Sequence, residues 1–104
     1  MLKELKTNEF EMLVKNEDKP VVLKFTAGWC PGCQQLGPII DKVAEDLEDV
    51  VFYSVDVDNS LDFAQKQYGI MSIPTLVLLK EGEEIDRITA PEPTEDAIRN
   101  FATQ

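Results

Sequence analysis

The sequence of 104 residues predicts a three-layer α/β/α fold, with helices on both faces of a central mixed sheet of four to five strands. Three observations predict it. Apolar runs of strand length alternate with stretches of helical period. The last two strands stand so close in sequence that they can only pair antiparallel, while the earlier ones are separated by helices and run parallel. The clearest helical stripe begins directly after the only two cysteines, Cys30 and Cys33.

In chain order, "LKEL" allows a short first strand. Asn8 followed by Glu11 resembles a capping arrangement, and Phe10, Leu13 and Val14 supply an apolar stripe, so a helix is expected over 8–16. "VVLKFT" at 21–26 reads as a buried strand. Leu36, Ile39, Ile40, Val43, Ala44 and Leu47 recur at intervals of three and four on one helical face, with Pro38 inside the helix, where it removes a backbone hydrogen bond. A strand at 50–57, a short helix over 60–68 and strands at 75–80 and 84–89 follow, joined at the end by the turn "EGEE". Ala97, Ile98, Phe101 and Ala102 give a last helix its apolar face after Thr94.

A chain of this length with 43% hydrophobic residues closes a core without staples, and one domain is expected to span residues 1–104. The cysteines are not needed for folding. The first twenty residues carry charges every two or three positions and no apolar signal core, and no later run approaches membrane-spanning length. The expectation is therefore a cytoplasmic protein with no membrane partner. A net charge of −10 repels phosphate backbones and argues against nucleic acid.

Cys30 and Cys33 could be a redox couple, half of a metal site or a crosslink. A disulfide closing so short a loop removes little unfolded-state entropy. A zinc site wants four Cys or His ligands, and two cysteines without a histidine would need carboxylates or a second chain, so no metal is assigned. The redox reading explains the spacing. If the strand at 21–26 feeds the helix through a short loop, Cys30 is the N-cap, where unpaired N–H groups and the positive end of the helix dipole favour a negative sulfur. Cys30 is then the catalytic nucleophile and Cys33, one turn on and better shielded, the resolving thiol. Pro31 at N1 forgoes only an N–H without a helical partner, while Gly32 and Cys33 keep theirs.

"FTAGWCPGC", "LGP" within the helix, "VDVD" at a strand end and "GIMSIPT" before another resemble the thioredoxin family, in matching order over nearly the whole chain. The resemblance implies the thioredoxin fold, a cis Ile73–Pro74 bond facing the cysteines, and a substrate-docking surface of Trp29, Pro31, Gly32, Ile73 and Pro74. It also implies protein disulfides as substrates, a thioredoxin-reductase-type electron donor, no bound cofactor and a monomer. Four departures accompany it. WCPGC reverses the inner pair of the usual WCGPC, which tunes the reduction potential. Lys24 stands where thioredoxins commonly carry a buried Asp that helps move a proton at the resolving cysteine. Ser54 replaces a frequent lysine, and "ITAPEP" lacks the glycine beside the groove.

Lys24 alternates with Leu23 and Phe25, so its stem should lie under the cysteine-bearing helix. It could modulate Cys33 as a base or as a cation. The plainer alternative is that it reaches water or pairs with Asp56 or Asp58. The function expected is a dithiol–disulfide oxidoreductase that reduces protein disulfides. The competing readings are a more oxidising oxidase or isomerase and a redox-inactive binding module using the same surface.

Overall fold

A computed structural model describes residues 2–104. Five strands, β1 (Lys3–Glu4), β2 (Val21–Thr26), β3 (Val51–Asp56), β4 (Thr75–Lys80) and β5 (Glu83–Thr89), form one sheet in the order β1-β3-β2-β4-β5. β1, β3 and β2 are parallel, and β4 pairs antiparallel with both β2 and β5. The sheet is mixed, as the spacing requires. The regular helices are α1 (Pro31–Asp46) and α2 (Glu95–Ala102).

Alternation along the strands divides the core. Val22, Leu76 and Leu78 turn to α1 and α2 and meet Leu36, Ile40, Val43, Ile98 and Phe101. Leu23, Phe25, Val55 and Val77 turn the other way to Phe10, Val14, Phe63 and Ala64. Thr94 caps α2 by accepting the Ala97 N–H at 3.2 Å, and α1 continues through Pro38 to Asp46.

Two expected helices take other forms. Residues 8–16 become a 3-10 turn (Thr7–Glu9) leading into a π-helical turn (Glu11–Lys15), and the segment after Ser60 contains a π-helical turn (Phe63–Gln67). The capping contact also moves, since Glu9 Oε1 accepts the Lys6 N–H at 3.0 Å in place of an Asn8–Glu11 pair. The physical reason for the wide turns lies in what they bring together. A π turn, closed by i→i+5 hydrogen bonds, sets residues five apart on the same side. Phe63 and Tyr68 thereby stack edge to face with centroids 5.3 Å apart, and Lys15 Nζ lies 5.8 Å from the Phe10 ring centre.

Candidate active site

β2, β3 and β5 run toward the same end of the sheet and β4 starts there, so residues 27–30, 57–62, 69–74 and 90–94 gather around the N-terminus of α1. Cys30 is the N-cap of that helix, and its Sγ accepts the Cys33 N–H at 3.2 Å. That N–H and the positive end of the α1 dipole both face the sulfur. The Cys30 Sγ–H points in turn at the Ile73 carbonyl, 3.9 Å away. Gln34 Nε2 donates to the Gly28 carbonyl at 2.9 Å and ties the loop before Cys30 to the helix after it.

Cys33 packs with Cys30 and Ala27 in a small buried cluster that Val57 and Ile73 cover. Burial pushes its thiol up, as does the hydrogen bond with Cys30, against smaller opposing contacts from Thr26 and Ala27. The expected contrast in shielding is present but small. Cys30 is 6% exposed and Cys33 4%, because the Ile73 segment closes over both.

The residues expected to form a docking surface converge. The Ile73–Pro74 bond is cis, and a Cβ on Gly32 would stand 3.5 Å from Pro74 Cδ, so Pro74 rests against the first turn of α1. Pro31 and Gly32 are exposed beside it. Trp29 is 67% exposed, and its Nε1–H donates to Asp58 Oδ2 at 2.8 Å. On the Trp29 side of Cys30 lies an apolar groove of about 280 Å³, walled by Trp29, Leu61, Ile70, Met71 and Ile73. On the other side a notch of about 160 Å³ is walled by Gly32, Leu36, Pro74, Ala90, Pro91 and Pro93. Leu61, Met71 and Asp58 as the partner of Trp29 were not legible as site residues. The available signal was two large apolar side chains in "NSLD" and "GIMSIP", stretches too short to bury them.

Lys24 turns to the α1 face and lines a cavity of about 450 Å³ with Cys33, Gln34, Pro38, Asp41 and Ser54. Its stem is therefore under the cysteine-bearing helix. Among the described residues no ion pair joins it to Asp56 or Asp58. Asp58 is taken by Trp29, and Asp56 Oδ1 accepts the N–H groups of Asp58 and Asn59 at 2.8 and 3.2 Å.

A family model described as thioredoxin matches residues 1–104. The chain is 39% identical over 94 residues to thioredoxin-2 of Saccharomyces cerevisiae, covering 89% of each protein. Among solved structures it is similar to the thioredoxin of Fasciola hepatica, with a TM-score of 0.84 at 30% identity over 99% of this chain and 97% of that one. A mutant thioredoxin from Halobacterium salinarum superposes with a TM-score of 0.83 at 31% identity, covering 96% and 85%.

Proposed function

Because the chain belongs to the thioredoxin family, whose members are thiol–disulfide oxidoreductases acting on protein disulfides, we propose that Cys30 is its nucleophile, Cys33 its resolving thiol, and reduction its working direction. The observation that carries the reading is the position of Cys30 as N-cap of α1, with the Cys33 N–H on its sulfur and the Ile73 carbonyl beside it.

The Cys30 thiolate attacks one sulfur of a substrate disulfide and expels the other as a thiolate, which takes up a proton. Cys33 loses its proton and attacks Cys30 Sγ. The substrate leaves as a dithiol, and Cys30–Cys33 is left as a disulfide. A reductase-type donor then supplies two electrons and two protons. An extended substrate segment lies along residues 72–74 against Trp29, Pro31, Gly32 and Pro74, where backbone contacts accept many sequences.

The reading takes residues 1–104 as one domain working as a monomer, and places it in the cytoplasm, where such a donor keeps the pair reduced. Among the described residues no helix is long and apolar enough to cross a membrane. Lys24, which lines the same cavity as Cys33, is assigned the role of modulator of that thiol, as a base or as a cation.

Single Ser variants test the roles. With dithiothreitol as donor and a disulfide-bonded protein as substrate, Cys30→Ser should lose turnover and form no adduct. Cys33→Ser should accumulate a mixed disulfide visible by mass. Adduct formation through Cys33 in the Cys30→Ser variant would reverse the assignment. The direction is tested by equilibrium against glutathione: a potential near or below the cytosolic poise supports reduction, and one well above it replaces the reading with an oxidase or isomerase.

A further inference from the structure

The segments that wall the groove on both sides of Cys30 are one-signed in charge. Residues 25–41, 43–65, 67–79 and 88–98 contain no lysine or arginine. Within them, Asp58 and Asp62 flank the exposed Leu61 on the Trp29 side, and Glu92 stands between the groove-lining Pro91 and Pro93 on the other. An extended segment crossing Cys30 must pass between these acids.

The nearby cations do not cancel them. Lys66 lies 3.8 Å from Asp62, with both side chains at least 80% exposed, a separation and exposure at which water screens the pair. Lys3, on the far edge strand, is held by Glu9 at 3.1 Å. Lys24 faces the separate cavity under α1. The net charge of −10 adds a field of the same sign at longer range.

The groove itself asks for something apolar. Trp29, Leu61 and Met71 are 67%, 49% and 98% exposed, and Val57, Ile70 and Ile73 form the floor between them. An apolar patch rimmed by charge is the pattern of a docking site, with the patch contributing affinity and the rim selecting partners.

Resting on the proposed oxidoreductase function, we infer that this groove selects protein disulfides whose cysteine is flanked by one large apolar side chain and by lysine or arginine. The apolar side chain fills the space between Trp29, Leu61 and Met71, and the basic residues lie against Asp58 and Asp62 on one side and Glu92 on the other. Anionic disulfide segments are repelled at encounter.

Two synthetic peptide disulfides, identical around a Leu-Cys core except for Lys or Glu at the flanking positions, test this with the full chain and dithiothreitol as reductant. At low ionic strength kcat/KM should favour the Lys peptide by about tenfold. In half-molar salt the preference should fall to about twofold or less, as screening shortens the field. The double variant Asp62→Asn, Glu92→Gln should show a reduced preference at low salt, with its thermal midpoint confirming the fold. Met71→Ser should raise KM for both peptides alike. Equal turnover of the two peptides at low salt overturns the inference and leaves the oxidoreductase intact. A preference that survives both high salt and the double variant also overturns it, since its source would lie elsewhere. No turnover of either peptide overturns the proposed function, and the inference with it.

Discussion

On one face of the sheet Val22, Leu76 and Leu78 meet the aliphatic stripe of α1 and the apolar side of α2, and on the other Leu23, Phe25 and Val77 meet the rings of Phe10, Phe63 and Tyr68. The aliphatic layer is built on regular helices, and its longest, α1, presents Cys30 from a fixed first turn. The aromatic layer is built on short, wide turns, and the segments next to it, 57–62 and 69–74, carry Leu61, Met71 and Ile73 to the groove. In the proposed function, chemistry thus stands on the periodic layer and much of recognition on the irregular one. Helices with i→i+4 bonds hold a reacting atom tightly, whereas ring clusters tolerate local backbone irregularity because edge-to-face contacts form over a range of angles.

The sharpest way to break this division is to remove a ring. Phe63 contacts Phe10 and Tyr68 at 5.3 Å and Phe25 at 6.3 Å between centroids. Phe63→Ala should cost about 3–5 kcal/mol in urea unfolding. Ile40→Val, on the α1 layer, should cost about 0.5–1.5 kcal/mol. Under conditions where Phe63→Ala remains folded, alkylation of Cys30 should keep its rate while KM for a peptide disulfide rises. A loss of Cys30 reactivity in parallel with KM would show that the layers are not separable.

The regular layer makes its own prediction through Cys33. Its thiol is raised chiefly by burial, a cause that persists when Cys30 is tied up in a mixed disulfide. Resolution needs the thiolate, so its rate should climb by about tenfold per pH unit and keep climbing past the ordinary thiol value of about 8.5. Single-turnover release of a substrate thiol across this range measures it. A plateau below pH 8 would mean that the cavity holding Lys24 lowers the thiol more than burial raises it.

Much of this division was already legible in the chain. β2 and β4 occupy the ranges read from their apolar runs, and α1 starts at the residue after Cys30. The stripe from Leu36 to Leu47 has the period of an ordinary helix, so the layer that holds the chemistry announced itself. Residues 8–16 and 60–68 were read as helices for the same reason. Their apolar residues fit a helical stripe, but the ring cluster that holds the wide turns joins Phe63 and Tyr68 to Phe10 and Phe25, neighbours from other segments that no local period reveals. The reactive pair was legible from CxxC before a helix. The groove was not, since Leu61 and Met71 gain meaning only when three loops meet at one end of the sheet.

Tyr68 sharpens the contrast at alkaline pH. Burial raises its hydroxyl to about 12, and burial also raises that of Tyr53, whose ring packs against the same layer. The unfolded chain releases these protons near pH 10. Between pH 10 and about 12 the folded state binds more protons than the unfolded one, so stability is complete below 10 and falls as pH rises through that window. Urea midpoints at pH 9 and 11 should show the drop, muted because Tyr68 is only half-buried, and Tyr68→Phe should remove part of it while Tyr53 retains the rest.

The smallest effect concerns the edge of the groove, where neither layer dictates the backbone. Ala90 has φ 48°, a left-handed conformation in which its Cβ crowds the backbone, and its N–H donates to the Pro74 carbonyl at 2.8 Å. The hydrogen bond fixes Ala90 against the segment that covers Cys30, so the conformation is retained despite its cost. Ala90→Gly relieves the crowding and adds unfolded-state entropy, two effects of opposite sign. The first should prevail by a few tenths to about 1 kcal/mol, because an L side chain at positive φ costs about 1–2 kcal/mol. Chemical denaturation measures the difference. A destabilised Ala90→Gly would mean that the Ala90 methyl packs against Pro74 and Pro91 strongly enough to outweigh the strain, and the notch would then be a packed wall of the site, with its shape held by side chains as well as by the backbone.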